Sequence, residues 1–128
     1  YRDKFIKGVA DTIVKNNINL ENLKKLSTDE ARKALVKLPG VGPYTANLVL
    51  SVGLRRKDIL HLDLFVREAM YTFYFDGEKV SDDMLIEYAN QHWHGFQSLA
   101  VDALTTNTEI WAKKLGVDFK FKSGAKGK

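Results

Sequence analysis

"LPGVGPYTANLVL", Leu38 to Leu50, decides how this chain folds. Pro39 and Gly40 end one helix, because proline lacks an N–H and glycine is a poor helix former. Pro43 then suits the first turn of the next, where its missing N–H costs nothing. Gly40 can take a positive φ, and Gly42 lets another backbone approach closely. Val41 between them is placed to plug the crevice between the two helices. Two readings stay open at this point. The turn is a bare helix–helix connection, or its exposed N–H groups and helix dipole form a notch for a phosphate oxygen.

Working outward, Ser27 and Glu30 have capping-box spacing, and Ala31, Leu35 and Leu38 supply one apolar face of the helix before the turn. After the turn, Ala46, Leu48, Val49, Leu50 and Val52 predict a helix apolar on most sides, hence central, broken by the basic "GLRRKD" of Gly53 to Asp58. Upstream, Phe5, Ile6, Val9, Ile13 and Val14 predict an amphipathic helix over 2–15, and Ile18, Leu20, Leu23 and Leu26 a short one. Downstream, Asp63 starts "LFVREAMYTFYF" and Ser81 caps "DDMLIEYANQ". Phe96 to Leu115 reads as one long helix closed by Gly116. No strand, repeat or interdomain linker is visible. The expected fold is all-α, with a domain over 1–118, a hairpin over 28–54 and a fraying basic tail over 119–128.

Composition sets bounds on function. Apolar residues at 45% suffice for a core and exclude global disorder. A formal charge of +4 suits a polyanionic partner without demanding one. The absence of cysteine excludes disulfides, thiolate zinc sites and iron–sulfur clusters. With no membrane-length apolar run and no signal peptide, an intracellular protein is the expectation. Lys33 and Lys37 precede the turn, and Arg55, Arg56 and Lys57 follow its second helix. Each alone reads as part of a solvated face; together with the turn they read as a grip on a nucleic-acid backbone.

The hairpin, followed about twenty residues later by "HLDLFVREAM", resembles the helix-hairpin-helix DNA glycosylase superfamily. "YRDKFIKGVADTI" is similar to the helix that precedes the hairpin there, and "HWHGFQSLAVDAL" to the closing helix. The resemblance implies an all-α orthogonal bundle lacking the N-terminal helices of the family's domain. It follows that the first and last helices should expose apolar surface unless a further segment or a second chain covers them. Asp63 also reads as a simple N-cap, and the two roles are compatible: a carboxylate held by backbone N–H groups is rigid. The resemblance assigns Asp63 the catalytic role, stabilising positive charge on the sugar and orienting water.

Members that also cut the backbone carry a lysine two residues beyond the second hairpin glycine; this chain has Tyr44, whose phenol cannot form a Schiff base. The resemblance therefore implies a monofunctional enzyme acting on a flipped, damaged base in double-stranded DNA. Gly40, Val41, Gly42, Tyr44, Thr45, Lys37 and Arg55 would hold DNA, and Tyr44 and Trp93 would line the base pocket. Tyr44 reads equally as a packed helix aromatic. Tyr71, Phe73, Tyr74 and Phe96 are further pocket candidates, though such stripes are usually core. His92 and His94 lack a third metal ligand nearby. The likeness is greatest to 3-methyladenine DNA glycosylase II, which implies alkylated purines as substrates, whose cationic bases stack well on aromatic faces. The alternatives are a non-catalytic DNA-binding module and a bifunctional 8-oxoguanine-type glycosylase/lyase. No cofactor is implied, apart from a monovalent cation on the carbonyls of Val36, Leu38 and Val41.

Overall fold

A computed structural model of the chain describes residues 2–121. Among the described residues seven α-helices follow in order: α1 (Arg2–Lys15), α2 (Thr28–Leu35), α3 (Pro43–Leu48), α4 (Leu64–Tyr74), α5 (Asp82–Trp93), α6 (Gln97–Thr106) and α7 (Thr108–Leu115). A 3₁₀ segment, Leu20–Lys25, precedes α2, and a π-helical turn, Val49–Gly53, extends α3. No strand occurs among the described residues. The fold is all-α. The chain divides into two compact units, Tyr1–Ile59 and Leu60–Lys128.

In the first unit, Leu23, Ala31, Leu35, Leu38, Ala46, Leu50 and Ile59 form the core, with Val9 and Ile13 of α1 packed against it. The capping box is complete: Glu30 N–H donates to Ser27 Oγ at 3.3 Å and Ser27 N–H to Glu30 Oε2 at 2.9 Å. The helix after the turn departs from expectation. Beyond Leu48 the backbone widens, Leu54 N–H reaching Val49 O at 2.9 Å. Leu50 is fully buried, while Val52, two residues on and therefore on the opposite side, is 70% exposed.

In the second unit, Val66, Ala69, Met70, Tyr71, Leu85, Ala89, Val101 and Leu104 form the core. Ser81 caps α5, accepting from Met84 N–H at 3.3 Å. The single helix expected from Phe96 to Leu115 is two helices, broken at Asn107, whose φ of −122° and ψ of 26° leave the helical region. Thr105 Oγ1 donates to Val101 O and Thr108 Oγ1 to Leu104 O, both at 2.8 Å. These hydroxyls compete with backbone N–H groups for helix carbonyls, which is how clustered threonines bend or break a helix. Phe119 and Phe121 pack edge-on against Phe65, with ring centroids 5.4 and 4.9 Å apart. Phe119 and Phe121 of the expected tail are thus packed, and 122–128 lie outside the described residues.

No residue of α1 is fully buried, and Ile6 and Val14 are more than 70% exposed. On α7, Ile110 and Leu115 are more than half exposed. The first and last helices do present apolar surface. Among the described residues no helix is long and apolar enough to cross a membrane.

Candidate functional site

The two hairpin glycines have different causes. Gly40 adopts φ +72°, and a Cβ there would lie 2.5 Å from Phe5 Cγ and Cδ1. Both backbone conformation and the ring of Phe5 therefore demand glycine. Gly8 also brings α1 near the turn, though less tightly, since a Cβ on it would sit 3.3 Å from Pro39 Cβ. Gly42 is unlike this. Its φ of −87° and ψ of 178° suit any residue, and an added Cβ would meet nothing within 4 Å. The chain itself gives no reason for glycine at 42.

Gly42 is the N-cap of α3 and offers no side-chain cap, with Pro43 at the first position as expected. Tyr44 and Thr45 are exposed on that first turn, and Val41 is half-buried against the core. Val41 N–H donates to Leu38 O at 3.1 Å, closing the turn and leaving that carbonyl a second lone pair.

Of the basic residues, Lys33, Lys37 and Arg55 are exposed, and Arg55 holds a positive φ of 55°. Arg56 is different. Its guanidinium donates to Leu26 O at 2.6 Å, Leu23 O at 2.9 Å and Thr28 Oγ1 at 2.9 Å. It ties the 3₁₀ segment to the start of α2 and is committed to structure rather than to a ligand.

Asp63 caps α4. Its Oδ1 accepts from Val66 N–H at 2.7 Å. One turn later, Arg67 forks onto Asp82, Nε to Oδ1 at 2.8 Å and Nη2 to Oδ2 at 2.7 Å. Its remaining nitrogen, Nη1, donates to Leu62 O at 3.0 Å, the carbonyl directly before Asp63. The hydrogen-bonded Arg67 guanidinium holds the Asp82 carboxyl below the ordinary carboxylate range, and Asp82 pushes Arg67 up in turn. Arg67 and Asp82 escape a reading of the sequence; Asp63 and Arg67 do stand at helical (i, i+4) spacing, the one signal available. His61, two residues before Asp63, keeps its Nδ1 buried without a described hydrogen-bond partner.

The aromatic candidates separate by burial. Tyr71 is core, its hydroxyl donating to Val80 O at 3.1 Å, so it lines no pocket. Phe73 stacks on Phe119 at 6.0 Å. Trp93 is half-buried, edge-on to Tyr74 at 5.9 Å, and Tyr88 stacks on His92 at 4.0 Å. Burial, and next the neighbouring Tyr88, push the Tyr74 phenol up. Phe96 is 53% exposed just before α6. No group of three or more His, Asp and Glu side chains that could hold a metal occurs among the described residues.

Residues 29–52 match the family model described as the helix-hairpin-helix motif. The chain is 34% identical to the 3-methyladenine DNA-glycosylase from Archaeoglobus fulgidus, with a TM-score of 0.64 over 73% of this chain and 32% of that one. The chain therefore carries a helix-hairpin-helix motif and is similar to DNA glycosylases. A probable N-glycosylase/DNA lyase of Methanothermobacter thermautotrophicus is 26% identical over 93 residues, 73% of this chain and 29% of the relative. The structure of MBOgg1 in complex with a low-affinity DNA ligand superposes with a TM-score of 0.76 at 23% identity, over 91% of this chain and 38% of that one. At that identity the likeness speaks for fold. The chain spans about a third of the length of each of these proteins.

Proposed function

We propose that this chain carries the DNA-gripping hairpin and the catalytic carboxylate of an intracellular base-excision-repair DNA glycosylase. The reaction is hydrolysis of the N-glycosidic bond of an alkylated purine in duplex DNA, without cleavage of the backbone. The bond from C1′ to the base nitrogen breaks, a bond from C1′ to a water oxygen forms, and Asp63 stabilises the cationic sugar and receives the proton from water.

What supports this reading is that one chain carries both a helix-hairpin-helix motif and, about twenty residues later in sequence, an Asp63 fixed by its bond to Val66 N–H at 2.7 Å. Open space at Gly42 supports the DNA contact, because a glycine the chain does not need leaves room for a backbone from outside. Lys37, Arg55, Val41 and Thr45 would complete the grip, and Tyr44, Trp93 and the exposed Phe96 would meet the flipped base. A monovalent cation on the carbonyls of Val36, Leu38 and Val41 would rigidify the turn. Exposed Ile6, Val14, Ile110 and Leu115 favour a further segment or a second chain covering these faces.

Asp63→Asn retains a capping side chain while removing the charge. Single-turnover base release should fall roughly 10²–10³-fold, with duplex affinity preserved. Release at the wild-type rate would end the catalytic assignment. The likeness to an N-glycosylase/DNA lyase favours a second reading in which an amine cuts the backbone. Borohydride added during turnover decides it, since a trapped covalent complex contradicts the role given to Tyr44.

A further inference from the structure

We propose that Arg67 is a positioning residue for Asp63, locking the carboxylate by tying the backbone on its N-terminal side to the first turn of α5. The inference rests on the catalytic reading of Asp63 and adds to it a device outside the reacting atoms. Cap geometry alone fixes one oxygen of Asp63 through Val66 N–H. The loop leading into Asp63, residues 60–62, packs Leu60 and Leu62 against the core, and Arg67 adds a bond to its last carbonyl, Leu62 O. Three Arg67 nitrogens are used: two on Asp82 and one on Leu62 O.

The arrangement is built for stiffness. A planar guanidinium forking onto a carboxylate has one good geometry, which a point-charge ammonium lacks. Asp82 is itself held, as the first residue of α5 directly after the Ser81 cap, where helix N–H groups favour a negative charge. The chain of contacts therefore runs from the start of α5 through Arg67 to the peptide carbonyl preceding Asp63. Half-exposure of the pair, 27% at Arg67 and 51% at Asp82, makes it a modest contributor to stability. Its value lies in orientation, because a catalytic group displaced by a fraction of an ångström loses rate while binding is kept.

The test compares wild type with Arg67→Lys, Arg67→Ala and Asp82→Asn in the whole chain, by three readouts. Single-turnover base release at saturating duplex should fall about tenfold or more in Arg67→Ala and Asp82→Asn, and duplex affinity should change less than about twofold. Arg67→Lys, which keeps the charge and loses the fork, should also be slow; full recovery by lysine would overturn the proposal. In the free protein, exchange of the Val66 amide hydrogen should quicken about tenfold in Arg67→Ala. A folded Arg67→Ala or Asp82→Asn protein with wild-type release and wild-type Val66 exchange refutes the inference. Loss of affinity in step with rate refutes it too, since that is the mark of general destabilisation. If Asp63→Asn releases base normally, or the wild-type chain releases none, the catalytic reading falls. The Val66 exchange measurement then decides whether Arg67 fixes the carboxylate.

Discussion

The two units of this chain differ in charge and in the side chains that pack them. Residues 1–59 carry twelve Lys and Arg against six Asp and Glu, a formal +6, whereas 60–128 carry eight against ten, a formal −2. Both units bury alanines fully, but in the first Gly8 and Gly40 also let α1 close on the turn, admitting Pro39 and Phe5. The second adds to its largely aliphatic core a set of ring contacts among Phe65, Phe73, Phe119, Tyr74, Tyr88 and Trp93. Backbone recognition needs bare N–H groups and positive potential, which small residues and lysines supply. Fixing one carboxylate needs a stiff frame. The division of charge shows that an overall +4 understates how basic the hairpin unit is.

That contrast can be broken by substitution, and the largest stability effect belongs to Gly40→Ala. The new Cβ would collide with Phe5 and sit at an unfavourable φ, so chemical denaturation should show a loss of roughly 2–3 kcal/mol. Gly40→Ala in a Phe5→Ala background should recover part of this. No recovery would mean that backbone strain alone sets the cost.

Acid should come next in size. Asp82 is held below its ordinary pKa by Arg67, so the pair's stabilisation is present above the unfolded carboxylate pKa. It is lost as pH falls through the lowered folded value. The stability gap between wild type and Asp82→Asn, of order 1 kcal/mol at neutral pH, should close in acid. A gap that stays constant through the acid limb would show that the pair contributes through packing.

Gly42→Ala inverts the behaviour of Gly40→Ala. Stability should change by less than about 0.5 kcal/mol, while duplex affinity falls several-fold; equal affinity would make Gly42 incidental to DNA. Last, Arg55→Ala should weaken duplex binding and reduce the salt slope by about one. Lys79→Ala in the second unit should leave both unchanged. Equal slopes for the two variants would dissolve the division of labour.

Much of the fold could be read directly. The caps at Ser27, Asp63 and Ser81, the proline at the start of α3 and the glycine ending α7 act over three or four residues, so their partners lie in the same stretch of sequence. Hydrophobic spacing placed α1 for the same reason. The site was legible where it is local: the hairpin, and Asp63 as a capping carboxylate.

Other features depend on residues that only folding brings together. Arg55 and Arg56 are neighbours of identical chemistry, yet one is exposed and the other is bonded to carbonyls some thirty positions earlier in the chain. Gly40 and Gly42 look alike in the motif, and the positive φ of Gly40 together with the ring of Phe5 separates a glycine that is required from one that is not. Tyr71 and Trp93 share aromatic character, and burial alone divides core from candidate pocket. The fork of Arg67 onto Asp82 belongs to this class as well. Short-range bonds are written in residue spacing, whereas the occupant of the space beside a side chain is chosen by how distant helices pack.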